Sequence, residues 1–143
     1  MSTDDELLRR AREVRGRAYA PYSGYAVGAV LEASDGTLFD GCNVENASFP
    51  VTLCAERGAL SAAVAAGRRE FRRLALSTSG TGAVAPCGAC RQALVEFAPH
   101  LEIVSEAGGD VRRWTLDELL PPRFVLDPRE PGRVAHDNGE KTV

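Results

Sequence analysis

The sequence predicts an α/β domain with a mixed five-stranded sheet. Apolar residues recur every three or four positions in the first segment, which is typical of an amphipathic helix. Residues 34–37 contain Asp-Gly between two extended runs, a pattern that predicts a β-hairpin. Farther along, short apolar runs alternate with helical segments, which indicates crossover connections and parallel strands. The hairpin therefore supplies the antiparallel part of the sheet, and the middle of the chain supplies the parallel part.

Each element is bounded by capping or turn signals. Thr3 or Asp4 can cap the first helix, Gly67 ends a helix rich in alanine and leucine, and Pro99 ends the next one. Thr115 can cap a final short helix. In chain order the predicted elements are a helix over 4–18, strands over 25–33 and 37–42, a helix over 54–66, a strand over 74–77, a helix over 87–98, strands over 101–105 and 111–114, and a helix over 116–120.

Composition limits the possible function classes. The 143 residues fit one domain whose core needs no disulfides. The formal net charge of −3 argues against a large nucleic-acid surface. The basic cluster at 68–73 is interpreted as a solvated helix end and loop, with an anion or phosphate site as the alternative. Since no apolar run is long enough to span a bilayer and the N-terminus lacks a signal-peptide pattern, we expect no membrane partner and a cytoplasmic location.

The C-terminal segment differs from the rest of the chain. After Asp127 the sequence is polar and rich in proline, glycine and charge, which is typical of a loosely held segment. We therefore expect a folded domain over residues 1–126 and a flexible tail over residues 127–143.

Three of the four cysteines lie in two short pieces, at Cys54 and at the Cys-x-x-Cys pair formed by Cys87 and Cys90. In a reducing compartment such a pair is more often metal-binding or redox-active than a structural bridge. All three are predicted at helix N-termini, where the helix dipole lowers the pKa of a thiol. Three thiolates leave one open position on tetrahedral Zn²⁺, which is the mark of a catalytic zinc site.

Two charged residues follow the first of these cysteines. Glu56 is placed to carry protons, because a glutamate beside zinc can accept a proton from water and pass it to a substrate. Three thiolates and Zn²⁺ sum to a charge of −1, and Arg57 can offset this charge by donating hydrogen bonds to the sulfurs. The alternative for Arg57 is an ordinary charge on the helix surface.

Other interpretations of the cysteines remain open at this point. A structural zinc site needs a fourth protein ligand, and Cys42, His100 and His136 are the candidates. A redox Cys-x-x-Cys would leave Cys54 and Glu56 without a role, and cysteines can also occur by chance in a core. Cys42 is best interpreted as a small buried apolar residue. The polar segment 43–48 is either turn chemistry or part of a site.

Several short motifs resemble the homotetrameric cytidine deaminases, and the resemblance covers residues 5–126. The departures are Phe49, where that family commonly has tyrosine, and Pro50 after it. The motifs that match in order are Ala20-Pro21-Tyr22-Ser23, Val27-Gly28-Ala29, Gly41-Cys42-Asn43-Val44-Glu45-Asn46-Ala47, Cys54-Ala55-Glu56-Arg57, Pro86-Cys87-Gly88-Ala89-Cys90-Arg91-Gln92 and Leu119-Leu120-Pro121.

The resemblance implies a three-layer α/β/α catalytic domain with one Zn²⁺ per subunit. The ligands would be Cys54, Cys87 and Cys90, and Glu56 would be the proton shuttle. Substrate contacts implied in the same way are Asn43 and Glu45 to the ribose hydroxyls, Ala55 and Glu56 to the pyrimidine edge, Tyr25 against the substrate, and Phe124 reaching the base in a neighbouring subunit.

The implied reaction is the hydrolytic deamination of cytidine and deoxycytidine to uridine and deoxyuridine, with release of ammonia, as in pyrimidine salvage. Glu56 would take a proton from the attacking water, deliver it to N3 and move the second proton to the departing amine. One alternative is a deaminase of a related heterocycle such as blasticidin S. The alternative from another class is a non-catalytic zinc-stabilised binding protein.

Overall fold

The structure is a computed structural model that describes residues 2–126 and 134–136. Its helices lie close to the predicted positions, and a 3₁₀ turn at Phe49–Val51 is an addition to the prediction. The elements in chain order are α1 (Asp4–Arg15), β1 (Val27–Ala33), β2 (Leu38–Cys42), α2 (Ala55–Ala65), β3 (Phe71–Thr78), α3 (Gly88–Val95), β4 (Glu102–Ala107), β5 (Asp110–Thr115), α4 (Leu116–Leu119), β6 (Phe124–Leu126) and β7 (Val134–His136).

Five strands form one mixed sheet in the order β2-β1-β3-β4-β5. β1 pairs antiparallel with both β2 and β3, and β5 pairs antiparallel with β4. β3 and β4 are parallel, because α3 returns the chain to the same end of the sheet before β4 begins. The predicted mixed five-stranded sheet is confirmed.

Helices cover both faces of this sheet. Side chains alternate along β1, so that Val30 packs with α1 while Ala29 and Leu31 pack on the other face. α1 buries Leu7, Leu8 and Ala11 against the first face. α2 and α3 cover the opposite face with a larger set of apolar side chains. The three-layer α/β/α arrangement follows from this alternation.

The first helix is three residues shorter than predicted. Thr3 and Glu6 form a capping box that fixes its start, and its last residue is Arg15. Beyond Gly16 the chain turns away because the backbone of Tyr19 pairs with the segment after β2: its N–H donates to Asn43 O at 3.0 Å, and its carbonyl accepts from the Glu45 N–H at 2.8 Å. A tertiary contact therefore ends a helix whose apolar period continues to residue 18.

Two glycines allow the helices to approach the sheet closely. A Cβ on Gly28 would lie 2.0 Å from the Ala11 carbonyl oxygen in α1, and a Cβ on Gly41 would lie 2.1 Å from the Ala55 carbonyl oxygen in α2. Both positions are in strands and neither has a positive φ. The constraint is therefore steric: only glycine leaves room for the helix backbone.

The basic cluster at 68–73 is not wholly solvated, and that part of the prediction is wrong. The side chain of Arg73 is only 13% exposed and pairs with Asp4 at 2.7 Å and with Glu32 at 3.2 Å. Glu32 is fully buried and also pairs with Arg72 at 3.1 Å. β3 begins at Phe71 and carries both arginines to the sheet, where the buried carboxylate needs cationic partners.

Little of the predicted tail is described. Val134–His136 forms a strand antiparallel to Phe124–Leu126, where no regular element was predicted. Residues 127–133 and 137–143 lie outside the described residues, so the flexible tail and the boundary at residue 126 stay predictions. Within the part of the chain that is described, no helix has the length and apolar character needed to cross a membrane.

The contrast between two glycines tests the packing of α2 on β2. We expect Gly41→Ala to lower the free energy of unfolding by about 1–3 kcal/mol, because the new methyl group overlaps helix backbone. Gly58→Ala is the matched control in α2: its Cβ would meet no atom closer than 3.7 Å, and alanine favours the helix by about 1 kcal/mol. Chemical denaturation measures both; equal effects would contradict this account.

Candidate metal centre

Three sulfurs meet where two helices begin side by side. Cys54 is the N-cap of α2, Cys87 is the N-cap of α3, and Cys90 lies in the first turn of α3. Their Sγ atoms all lie within 4.8 Å of one another. The predicted placement of all three cysteines at helix N-termini is confirmed, and the fold brings together the two pieces of sequence that carry them.

The spacing of the sulfurs suits zinc. Cys54 Sγ and Cys87 Sγ are 3.9 Å apart. Two thiolates on tetrahedral Zn²⁺, with Zn–S bonds near 2.3 Å, lie about 3.8 Å apart. Cys54 is partly exposed, Cys87 is exposed and Cys90 is buried, so the cluster opens to the surface on one side. The geometry and the donor set therefore fit one Zn²⁺ with an open fourth position.

Neither Cys42 nor His100 completes this cluster. Among the described side chains, three cysteines form the group of potential metal ligands at this position. Cys42 is half-buried, not buried as predicted, and its sulfur lies 3.8 Å from the Arg17 carbonyl oxygen. His100 instead contacts Asp117 at 2.6 Å, and the side chain of His136 lies outside the described part. The arrangement does not support a structural site with Cys42 or His100 as fourth ligand.

The thiols differ strongly in their affinity for protons. A hydrogen bond with Cys90, aided by Arg57, lowers the pKa of Cys54 to about 5. The bond with Cys54, together with burial, raises the pKa of Cys90. The pKa of Cys54 is thus lowered and that of Cys90 raised, and any thiol proton left in the cluster must be released when zinc binds.

Arg57 lies against the cluster. Its Nη2 donates to Cys54 Sγ at 3.5 Å, and this contact raises the pKa of Arg57. A guanidinium in this position can offset the negative charge of the three thiolates, as is expected of Arg57 from the sequence. An arginine three residues after Cys54 reaches back over one helical turn to the N-cap, because positions three apart share a helix face.

Glu56 lies inside the domain beside the cluster but outside its ligand set. It is 7% exposed, and its Oε2 lies 3.8 Å from Cys90 Sγ. Burial raises the pKa of Glu56, and the negative charge of Cys54 adds to the effect. A buried carboxyl with a raised pKa next to a metal position is equipped to accept and return a proton.

The segment after β2 lies beside the metal cluster. The backbones of Val44 and Leu53 exchange two hydrogen bonds at 2.9 Å, so residues 43–45 run next to the approach to Cys54. Asn43 is buried and its side chain bonds to the backbone, accepting from Val27 N at 2.9 Å and donating to Tyr25 O at 2.8 Å. These bonds use one acceptor site and one donor of its amide and leave the others available.

Three hydrogen bonds orient Glu45. Its Oε1 accepts from the Tyr22 N–H at 2.9 Å and from the Ser23 N–H at 3.1 Å, and its Oε2 accepts from the Ser23 hydroxyl at 2.5 Å. The hydroxyl is the main cause of the lowered pKa of Glu45. Ser23 was missed as a candidate site residue, because only the fold brings the loop of residues 20–24 to the end of β2.

The remaining candidate residues take different positions. Ala55 is fully buried in the first turn of α2 beside the cluster. Tyr25 is exposed, and its ring packs over Gly80, where an added Cβ would lie 3.0 Å from Tyr25 Cε2. Phe124 is 60% exposed and lies on the separate β6–β7 ribbon, so its ring is not part of the core of its own chain.

Removal of one sulfur tests the ligand set. We expect Cys87→Ala to lose bound zinc, because two thiolates bind the ion far more weakly than three. The measurement is zinc per chain by atomic emission after dialysis, with one zinc expected for the parent chain. Cys42→Ala is the matched control and should keep one zinc; full zinc in Cys87→Ala would remove Cys87 from the ligand set.

The variant Arg57→Ala tests the role of Arg57 by the same measurement of zinc per chain. It should keep zinc under saturating conditions and lose it more readily to a chelator, since removing a partner of a metal ligand typically costs about 10–100-fold in affinity or activity. If both zinc affinity and turnover were unchanged, Arg57 would be an ordinary surface charge.

Comparisons with known proteins agree with this geometry. The model of the cytidine and deoxycytidylate deaminase zinc-binding region matches residues 1–105. A cytidine deaminase from Sporosarcina psychrophila is 43% identical over 122 residues, which cover 84% of this chain and 90% of that protein.

Among solved structures, a cytidine deaminase from Burkholderia pseudomallei matches with a TM-score of 0.83 and 48% identity, over 86% of this chain and all of that one. Blasticidin-S deaminase from Bacillus cereus is similar at 27% identity, over 85% of this chain and 92% of that protein. On the family match and on the identity of these relatives over most of its length, the chain belongs to the zinc-dependent cytidine deaminase family.

Proposed function

We propose that this chain catalyses the zinc-dependent hydrolytic deamination of cytidine and deoxycytidine, releasing ammonia and leaving uridine and deoxyuridine. The observation that carries the proposal is the three-cysteine cluster with buried Glu56 beside it, in a chain of this family. Such an enzyme serves pyrimidine salvage, because it converts one free nucleoside into another.

The three cysteines and Arg57 would have different roles at the metal site. Cys54, Cys87 and Cys90 would hold the ion, and Zn²⁺ in that position supplies Lewis-acid chemistry that lowers the pKa of a water molecule. Arg57 would offset the excess negative charge of three thiolates, since its guanidinium lies 3.5 Å from Cys54 Sγ. Without this compensation, the negative charge of the three thiolates would weaken the ability of bound zinc to lower the pKa of water.

Glu56 would move both protons of the reaction. Its carboxylate accepts a proton from the attacking water and delivers it to N3 of the pyrimidine, while the water oxygen forms a bond to C4. Glu56 then accepts the proton of the new C4 hydroxyl and transfers it to the exocyclic amine; the C4=O double bond forms as the C4–N bond breaks and ammonia leaves. The raised pKa of Glu56 suits this exchange, because the burial that causes it favours the protonated form that the carboxyl must adopt between accepting and returning a proton.

The ribose pocket would be built from the segment after β2. Asn43 and Glu45 are proposed to bind the ribose hydroxyls, with Ser23 holding the Glu45 carboxylate in one orientation. The Ala55 backbone and Glu56 would meet the pyrimidine edge, and Tyr25 would pack against the substrate. The two hydrogen bonds between Val44 and Leu53 support this grouping, because they bring the segment to the cluster.

We infer that the enzyme is a homotetramer. Large apolar side chains are exposed around the start of α2, and this much apolar surface in one region is typical of an interface. Tyr22 and Phe49 lie edge to face with ring centroids 6.0 Å apart. The exposed set is Tyr19, Tyr22, Val44, Phe49, Val51 and Leu53. Phe124 would reach the base bound by a neighbouring subunit, which fits its exposure in its own chain.

A cytoplasmic location and the absence of nucleic-acid and membrane partners complete the proposal. All four cysteines are free thiols, which is the usual state in a reducing compartment. The mildly acidic net charge favours a small substrate over a polynucleotide.

Glu56→Gln tests the reaction. Glutamine keeps the size of the side chain but cannot carry a proton, so turnover should fall by about 10²–10⁴-fold or more while bound zinc is unchanged. The measurement is ammonia release from cytidine, deoxycytidine, cytosine, dCMP and blasticidin S, beside zinc per chain. Substantial activity in the variant would contradict the role of Glu56.

The parent protein separates the alternatives in the same assay. Release from cytidine and deoxycytidine supports the proposal, and release from blasticidin S alone supports the related deaminase. Bound zinc without ammonia from any substrate would support a non-catalytic binding protein.

A mixing experiment tests the shared site. We expect Phe124→Ala to raise the KM for cytidine with little change in bound zinc. When Phe124→Ala and Glu56→Gln chains are co-refolded, hybrid oligomers should contain sites with both residues intact and, at cytidine concentrations below the KM of Phe124→Ala, should be more active than the two variants refolded separately. Sedimentation equilibrium should give four times the chain mass; a monomer, or no recovery in hybrids, would contradict the proposal.

A further inference from the structure

The three metal-binding positions differ in how their backbone is held. The backbone just before Cys54 is held by the two Val44–Leu53 hydrogen bonds. Cys90 is buried within α3. Cys87 is exposed, and it follows residues 79–86, an irregular connection that contains two glycines. Cys87 is therefore the ligand whose position most needs support from another part of the chain.

Arg91 supplies a contact at this point. It lies one helical turn after Cys87, and its guanidinium turns back toward the start of α3. Nε donates to the Pro86 carbonyl oxygen at 2.7 Å, and Nη1 donates to the Leu119 carbonyl oxygen at 2.9 Å. One side chain thus joins the residue before a metal ligand to the end of α4.

Both ends of this bridge are anchored. Pro86 is buried, and the Pro86 carbonyl belongs to the peptide unit whose N–H is that of Cys87. Leu119 packs against the main apolar cluster beneath α2 and α3. A rigid guanidinium between the two carbonyls restricts the peptide plane that sets the direction of the Cys87 side chain.

We propose that Arg91 is a positioning residue for zinc: by bridging Pro86 and Leu119 it holds Cys87 Sγ where the ion binds. Its guanidinium donates to these two backbone carbonyls, and it acts through the backbone of Cys87. This role rests on the zinc site of the proposed function and is independent of which nucleoside is the substrate. Lysine could not replace arginine here, because one ammonium on a flexible stem lacks the fixed fork that reaches both carbonyls.

The test compares zinc release in Arg91→Lys, Arg91→Gln and Arg68→Lys. Arg68 is the matched control, because it also donates to a backbone carbonyl, Ala66 O at 3.2 Å, and to a second partner, Asp35. It follows α2 at the end opposite Cys54, about 16 Å along the helix axis. Zinc-loaded protein is mixed with excess chromogenic chelator, and the rate and equilibrium of zinc transfer are recorded.

Both Arg91 variants should bind zinc about 10–100-fold more weakly than the parent, in the range found for partners of metal ligands, while Arg68→Lys should match the parent. Thermal unfolding with and without zinc separates a positioning role from a general structural one. In the Arg91 variants the rise in Tm on adding limiting zinc should shrink, whereas a loss of stability alone would lower both Tm values equally.

Parent-like zinc affinity in Arg91→Gln would overturn the proposal, as would an equal loss in Arg68→Lys. Should Arg91→Gln fail to fold, Arg91→Lys decides, because it keeps the charge and the aliphatic stem. None of these readouts uses a substrate, so failure of the deaminase assignment and failure of the Arg91 proposal are distinguishable.

Discussion

The close packing of α2 and α3 on one face of the sheet is the constraint on which the candidate site depends. Gly41 allows the backbone of α2 to touch β2, and α3 returns the chain from β3 to β4 beside it. The starts of the two helices therefore lie together, with free N–H groups and positive dipole ends at one point. Three thiols placed there can be held as thiolates with spacing that suits one metal ion.

Charge balance then shapes the surroundings of this point. Thiolates and a buried carboxyl bring negative charge into a region with little water, and Glu56 responds with a raised pKa. Arg57 lies against one sulfur, whereas Arg91 donates to the Pro86 carbonyl before α3 and to the Leu119 carbonyl at the end of α4. The two arginines follow their cysteines closely in sequence, but their proposed roles differ: Arg57 would balance charge, and Arg91 would restrict the geometry at Cys87.

The polar side chains of the proposed ribose pocket are held in place by the loop before β1. The side chains of Asn43 and Glu45 both form hydrogen bonds with the backbone of residues 22–27. These hydrogen bonds fix the two side chains relative to β2, and they join the loop after α1 to the proposed pocket. The pairing of Tyr19 with the segment 43–45 coincides with the early end of α1 at Arg15, and it brings Tyr22 and Ser23 close to the Glu45 carboxylate that they orient.

The sequence by itself determined the mixed sheet, the three cysteines with Glu56, and the helix starts, since hydrophobic period, capping residues and ligand spacing are local properties of the chain. It could not place Ser23 on Glu45, pair Arg73 with buried Glu32, or end α1 three residues early, because each of these depends on partners 20 or more positions away. Nor could it decide between a structural site and an open one. Excluding Cys42 and His100 as fourth ligands needed their positions relative to the sulfurs, and only tertiary packing sets such distances.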